Sequence, residues 1–136
     1  MAYFKKEWAA ELRSRLRKEF PSKSGWKISV RVKDYQAVYV KLMSAPTTIE
    51  DVVGEHYLID LKDAGYVRVN PHFINDNLRG ELARFFNRVL ELLVEITGTS
   101  SSPNDPYYHY SEYGDYPYYT KLSLGDFEKP IQFKEV

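Results

Sequence analysis

At 136 residues, the chain has the size of one domain, which we place over residues 1–136. A chain of this length can bury a hydrophobic core without disulfide bonds. It has no cysteine, which excludes disulfides, thiol nucleophiles and cysteine-ligated metals. The net charge of zero argues against bulk packaging of DNA, but ten Lys or Arg against three Asp or Glu within residues 1–33 make that end basic and permit a local anionic contact. No apolar run approaches the roughly 20 residues that span a bilayer, and the N-terminus does not resemble a signal peptide, so we predict a cytoplasmic protein with no membrane contact.

The first predicted elements are a helix and a hairpin. Over residues 2–20, apolar side chains recur at steps of four, as on one face of a helix: Phe4, Trp8, Leu12, Leu16 and Phe20. Strict alternation then predicts a strand over residues 26–33, and a second strand follows a short turn at residues 34–36. The side chains expected to point into the core are Trp26, Ile28, Val30, Val32, Val38, Val40 and Leu42. This pattern predicts an antiparallel hairpin with one buried face and one face exposed to solvent.

A second helix and a third strand are predicted next. The helix should begin at Thr47, because Thr47 and Glu50 have the spacing of a capping box. Gly54 should weaken this helix and leave it short or bent. Residues 66–70 are a candidate third strand, which Pro71 ends.

The strongest helical pattern in the chain covers residues 77–97. Its apolar residues recur at alternating steps of four and three: Leu78, Leu82, Phe85, Val89, Leu92 and Ile96. We expect Asn75 or Asp76 to cap the first turn and Gly98 to end the helix in a left-handed conformation. The width of this apolar stripe predicts that Leu82, Phe85 and Val89 are buried against the sheet.

The last predicted elements are a loop over residues 98–105 and a strand over residues 118–124 with Leu122 and Leu124 facing inward. The tail should pack on the core through Phe127, Ile131 and Phe133. The resulting order α-β-β-α-(β)-α-β predicts an α+β domain, with a mainly antiparallel sheet and helices packed on one face.

The residues that usually carry catalysis or metal binding do not form any known pattern. None of the three histidines has a His or Cys at ligand spacing. The chain has no nucleophile elbow, no phosphate-binding loop and no dinucleotide-binding glycine motif. We therefore predict a protein that is not an enzyme and that uses no cofactor and no metal.

Tyrosine is unusually frequent, with twelve residues in the chain and seven of them between residues 107 and 119. The candidate partner-binding residues are Tyr107, Tyr108, Tyr110, Glu112, Tyr113, Asp115 and Tyr116. Tyrosine combines a large contact area and a hydroxyl with little loss of entropy, which suits a recognition surface. The interspersed acids suit a basic partner. The alternative is that part of this segment belongs to the core, which we expect of Tyr118.

The outer face of the predicted hairpin is a second candidate surface. It places cations beside an aromatic ring, through Lys27, Arg31, Lys33, Lys41 and Tyr39. Sheets of this composition bind single-stranded nucleic acid by stacking and by charge. The alternatives are an ordinary polar sheet face or one covered by a helix.

Three ordered groups of motifs resemble a known family. The first comprises residues 27–32, 38–40 and 45–47, the second residues 70–77 with 79–81 and 84–85, and the third residues 115–119 with 122–130. In this order they resemble a large polyvalent protein-associated domain family of phages, plasmids and other mobile elements, from about residue 20 to residue 133. The chain differs at residues 43–46, where Met-Ser-Ala-Pro stands in place of the family's Trp and Gly.

The resemblance implies a mobile-element origin and an accessory role against host defences, with no catalytic residues. Our leading hypothesis is a non-enzymatic protein that acts in the host cytoplasm by binding a host defence or nucleic-acid-processing protein. It would then be an inhibitor of the anti-CRISPR or anti-restriction type. The alternative is a small nucleic-acid-binding module that uses the basic N-terminal helix and the hairpin face. The sequence leaves the oligomeric state open.

Overall fold

The structure, a computed structural model, describes residues 3–99 and 118–133. Its helices and strands are α1 Lys6–Glu19, β1 Lys27–Lys33, β2 Ala37–Ala45, α2 Glu55–Ala64, β3 Val67–Val69, α3 Ile74–Asn77, α4 Gly80–Thr97, β4 Tyr119–Leu124 and β5 Gln132–Phe133. Two single 3-10 turns, Ser22–Ser24 and Ile49–Asp51, precede β1 and α2. None of the described helices is both long enough and apolar enough to cross a bilayer.

The strands form one mixed sheet in the order β1-β2-β4-β3, with β5 beside the end of β2. The pairs β1–β2 and β3–β4 are antiparallel, whereas β4 and β5 run parallel to β2. The α+β class and the predicted order of the main elements are confirmed. The sheet is mixed and not mainly antiparallel as predicted, since β2 pairs in parallel with both β4 and β5. The order of the strands places β4, which is late in the chain, between β2 and β3. Helix α3 and strand β5 are additional elements.

One face of the sheet packs against the helices and forms the core. Val30, Val40, Leu122 and Val69 are aligned across the four strands and are all buried. Each described helix adds buried residues to the same core, among them Leu12, Leu61, Ile74 and Phe85. The predicted inward residues of β1, β2 and β4 lie in or against this core, which confirms the alternation pattern. The helices therefore cover one face of the sheet, as expected.

Aromatic rings form the part of the core between α1, β1 and α4. Phe85 stacks on Trp26 with ring centroids 5.6 Å apart, and its edge meets Phe20 at 5.0 Å. The prediction that Leu82, Phe85 and Val89 are buried is confirmed, since each side chain is fully buried. Tyr118 is also in the core, as predicted, and its hydroxyl donates to the Thr99 carbonyl oxygen at 2.8 Å.

The predicted helix starts around residues 47 and 77 were wrong. The chain from Thr47 forms only a 3-10 turn, and α2 begins at Glu55, directly after Gly54. The Thr47 hydroxyl instead donates to the Asp51 carboxylate at 2.6 Å. That same carboxylate accepts the backbone N–H of Glu81 at 3.0 Å, so Asp51 caps α4 from a distant part of the chain.

The neighbouring glycine permits this tertiary cap. Gly80 has a φ of +59°, and a Cβ at this position would lie 2.6 Å from the Asp51 carboxylate oxygens. Only a residue without a side chain leaves room for the carboxylate. Asn75 and Asp76, the predicted caps, belong to the separate short helix α3, and the first turn of α4 depends on Asp51 instead.

Replacing Asp51 with Ala should therefore lower the free energy of unfolding by about 1–2 kcal/mol, the upper part of the range for a lost N-cap. The Glu81 N–H and the Thr47 hydroxyl would both lose their acceptor. The matched control is Asp76→Ala, which should change stability by less than about 0.5 kcal/mol, as expected of a surface site. Urea denaturation of both variants measures the two losses. A larger loss for Asp76→Ala would contradict the tertiary cap.

The tail behaves only partly as predicted. Ile131 and Phe133 pack against the core, and Phe133 pairs with Ala45 through β5. Phe127 does not pack, because 76% of its surface is exposed. The reason is a closed turn after Gly125, in which Asp126 accepts two backbone N–H groups and the Phe127 side chain points outward.

Candidate nucleic-acid interface

The face of the sheet opposite the core carries cations and tyrosines from all four of its main strands. We call this surface the basic face and define it by Arg31, Lys33, Tyr39, Lys41, Arg68, Tyr119 and Lys121. These residues alternate with core residues along their strands, which places them on the other side of the sheet. Arg31, Lys33, Arg68 and Lys121 are exposed, and Tyr39 and Lys41 are half-buried.

The register of the strands brings an aromatic ring between two cations. Tyr39 pairs directly with Arg31 on one side and with Lys121 on the other. Neighbouring strands lie about 4.8 Å apart, so the three residues form one row across the sheet. In addition, the Lys33 Nζ lies 4.7 Å from the centre of the Tyr39 ring, a cation–π contact. Tyr39 is thus the centre of a positively charged cluster.

The next row extends the basic face to the far edge of the sheet. Lys41 pairs with Ser123, and Ser123 pairs with Arg68 of β3. The small Ser123 side chain, whose hydroxyl donates to the Gly125 carbonyl oxygen at 3.0 Å, leaves space between the two longer cations. The surface between them is concave.

This concave region is a groove of about 860 Å³. Its charged lining residues within the described chain are the cations Lys33, Lys41, Arg68 and Lys121 and the carboxylate Asp126. Its aromatic lining residues are Tyr39, Tyr66, His72, Tyr119 and Phe127. A volume of this size lies within the range of ligand-binding clefts, and the excess of cations favours an anionic ligand.

Among the described residues of this lining, Asp126 is the single acidic one, and its charge is balanced locally. The pKa of Asp126 is held below its usual value, first because its carboxylate accepts the Lys129 N–H at 2.8 Å. The Glu128 N–H at 2.9 Å and the Lys41 ammonium at 3.5 Å act in the same direction, and partial burial opposes them. Asp126 therefore stays ionised and closes the turn at residues 126–129.

The lowered pKa of Asp126 predicts a pH dependence of stability. A carboxyl whose pKa is lower in the folded than in the unfolded chain stabilises the fold above the unfolded pKa of about 3.9, and this contribution disappears as the pH falls through the folded pKa. Asp126→Asn should thus melt below the unmodified protein at pH 6, and the gap should close in more acidic buffer. Melting curves from pH 6 downward measure the gap, with exposed Asp60→Asn as control. A difference in melting temperature that stays constant as the pH falls would contradict a lowered pKa of Asp126 in the folded protein.

The structure brings together four of the five residues predicted for nucleic-acid binding. Arg31, Lys33, Tyr39 and Lys41 lie in adjacent positions on the basic face. Lys27 does not join them, because it precedes an irregularity in the pairing and aligns with Ser44 at the other end of the hairpin. It lies four positions from Arg31 in the chain, which corresponds to about 13 Å along a strand.

The basic N-terminal helix is not part of this surface either. α1 packs through Leu12 and Leu16 on the core side of the sheet, so its outer residues point away from the basic face. Some of its cations also have structural partners, since Arg13 donates to the Val30 carbonyl oxygen at 2.7 Å and Arg15 pairs with Glu95 at 3.3 Å. The helix and the hairpin face therefore do not form one continuous basic surface.

Sequence reasoning missed Arg68, Lys121, Tyr119 and Phe127 as members of the site. A signal was present, because Lys121 and Arg68 alternate with buried residues in their strands. Alternation identifies the outer face of each strand but not the neighbouring strand. These residues join the hairpin only through the parallel pairing of β2 with β4.

The predicted partner-binding surface lies outside the described residues. It comprises Tyr107, Tyr108, Tyr110, Glu112, Tyr113, Asp115 and Tyr116. Its role in binding stays a prediction from the sequence.

Comparisons of the chain with protein-family models, with curated proteins and with solved structures find no match. The resemblance to the polyvalent-protein family therefore stays a prediction as well. Within residues 3–99 and 118–133, no group of three or more His, Asp or Glu side chains is arranged to hold a metal ion. Within the described residues, the basic face combines exposed cations, aromatic rings and a groove.

Proposed function

We propose that the protein binds single-stranded nucleic acid on the basic face, without catalysis. The observation that carries the proposal is the row Arg31, Tyr39 and Lys121, in which a half-exposed ring lies between two exposed cations on neighbouring strands. Cations attract the phosphates, and the ring offers a surface on which a base can stack.

A single strand fits this surface better than a duplex does. In a double helix the faces of the bases are hidden by stacking, so Tyr39 and Tyr119 could reach only base edges, sugars and phosphates. In a single strand the bases are free to turn toward the sheet. Sheets that carry aromatic residues beside basic ones recognise single strands in this way.

The charges across the basic face also favour a polyanion over a single small anion. Arg31 and Lys33 lie on β1, Lys121 on β4 and Arg68 on β3, so the cations cross the whole sheet. Three strand spacings of about 4.8 Å give a path of about 14 Å, long enough for several phosphates. The carboxylate of Asp126 interrupts this path only locally, because Lys41 lies 3.5 Å from it.

Fluorescence anisotropy tests the proposal with labelled oligothymidine of about 12 nucleotides, a length within the usual site size of small single-strand-binding domains. An RNA strand and a DNA duplex of the same length are measured beside it. We expect both single strands to bind more tightly than the duplex, and the affinity to fall as salt rises from about 50 to 200 mM. The two single-stranded probes distinguish DNA from RNA as the natural ligand. Tighter binding of the duplex, or no binding of any probe at 50 mM salt, would contradict the proposal.

The inhibitor hypothesis is a second proposal, and the acidic tyrosine cluster of the sequence favours it. Its test uses Tyr110→Ala together with Tyr113→Ala in a pull-down from a bacterial lysate. We expect the unmodified chain to retain one stoichiometric partner and the double variant to lose it without a change in melting temperature. Unfolding of the double variant would place these rings in the core and would contradict an interface there.

A further inference from the structure

Phe127 lies at the groove and does not help to form the core. Its side chain is 76% exposed, the highest value among the large hydrophobic residues that the structure describes. It lines the groove together with Tyr66, His72 and Tyr119. An exposed aromatic ring beside cations can stack on a base whose phosphates the cations attract.

The turn that carries Phe127 is fixed at both ends. The Gly125 N–H donates to the Leu42 carbonyl oxygen at 2.9 Å, and the Ile131 N–H donates to the Gly65 carbonyl oxygen at 3.1 Å. Between them, the Asp126 N–H donates to the Lys129 carbonyl oxygen at 2.9 Å. These bonds hold the backbone that carries the ring, so binding has to order only the Phe127 side chain and not the turn.

The cations of the groove lie where they can hold the backbone of the same ligand. Lys121 belongs to the row of Tyr39, and Arg68 lies on the outermost of the four main strands, next to β4. Both side chains are exposed and both line the groove with Phe127. A nucleic-acid strand that crosses the basic face from β1 to β3 therefore passes over these two cations inside the groove.

We infer that the groove is a base-binding subsite, in which Phe127 stacks on one base of a single strand whose adjacent phosphates contact Lys121 and Arg68. The inference rests on the proposed function and adds a specific subsite to it. Stacking tolerates any base, because every base has a π-face, so the subsite should contribute affinity without strong sequence preference.

The test compares Phe127→Ala, Phe127→Leu and Phe127→Trp with the unmodified protein, using the labelled oligothymidine. Phe127→Ala should bind about 5- to 150-fold more weakly, the range observed when a stacking ring is removed. Phe127→Leu retains apolar bulk without a π-face and should also bind weakly. Phe127→Trp should retain the affinity, and its indole fluorescence should be quenched when the strand binds. The salt dependence should be the same in all four proteins, since no cation is lost.

The outcomes separate this inference from the proposed function. If the unmodified protein binds no strand, both fail. If it binds and Phe127→Ala binds equally well, the basic face is a binding site but the subsite is wrong. If Phe127→Leu binds like the unmodified protein, the contact is apolar and not stacking, which also overturns the inference. The side chain is exposed, so all variants should fold, and melting curves verify this.

Discussion

Phe85→Ala is expected to lower the free energy of unfolding by about 3–5 kcal/mol, the usual cost of removing a buried Phe. The Phe85 ring is completely buried and contacts Trp26, Phe20 and Phe86 at centroid distances of 5.0 to 5.6 Å. Trp26 directly precedes β1, Phe20 directly follows α1 and Phe86 belongs to α4, so these partners cannot all move together to fill the space. A cavity should remain at the point where three elements meet. Denaturation in urea measures the loss.

The matched control is Phe73→Ala, which removes the same atoms from a ring that is 52% exposed. It should change the free energy of unfolding by about 1 kcal/mol or less, because little apolar surface returns to water. A loss below about 1 kcal/mol for Phe85→Ala would contradict the predicted burial of this face of α4. An equal decrease in the free energy of unfolding for Phe85→Ala and Phe73→Ala would also contradict this burial.

Neutralising Arg31 and Lys121 together is expected to weaken nucleic-acid binding and to reduce its dependence on salt. Each phosphate contact of a single strand contributes about 0.7 to the slope of log affinity against log salt, so the slope should decrease by about 1.4 for the two contacts. At about 0.1 M salt, this corresponds to roughly 25-fold weaker binding. The double variant Arg31→Gln, Lys121→Gln tests the expectation by anisotropy across a salt series. Neither side chain belongs to the core, so the melting temperature should change little.

The control carries the same change of charge on the other side of the molecule. Arg17→Gln together with Lys18→Gln removes two exposed cations from α1, which packs on the core side of the sheet. This variant should retain the salt slope of the unmodified protein. Equal weakening in both double variants would mean that binding depends on net charge or on the N-terminal helix, and would contradict a site on the basic face.

The sequence predicted which side of each strand is buried but not which strands are neighbours. The two-residue period of β4 places Leu122 and Leu124 inward in any arrangement of the sheet, because side chains alternate along every strand. The parallel pairing of β4 with β2 joins residues about 80 positions apart. That choice depends on how the whole sheet closes over α1 and α4, and no local pattern encodes it.

The helix ends show the same difference between local and distant causes. Gly98 ends α4 with a φ of +81°, as predicted, because its conformation depends only on its own missing side chain. The start of α4 depends on Asp51, whose carboxylate reaches Glu81 across 30 positions of the chain. Residues next to the predicted start therefore could not reveal the cap.

By itself, the sequence determined the α+β class, the main elements in order, the buried faces of α1, α4, β1, β2 and β4, and four of the seven residues of the basic face, namely Arg31, Lys33, Tyr39 and Lys41. All of these follow from periods of two or about 3.6 residues and from the chemistry of single residues. Only the tertiary structure decided that Arg68, Tyr119 and Lys121 join that face and that Lys27 and α1 lie apart from it. It also decided that a groove forms on this face and that Phe127 lines it. The physical reason is that a binding surface needs neighbours in space, and in this sheet the neighbours are assigned by long-range pairing of strands.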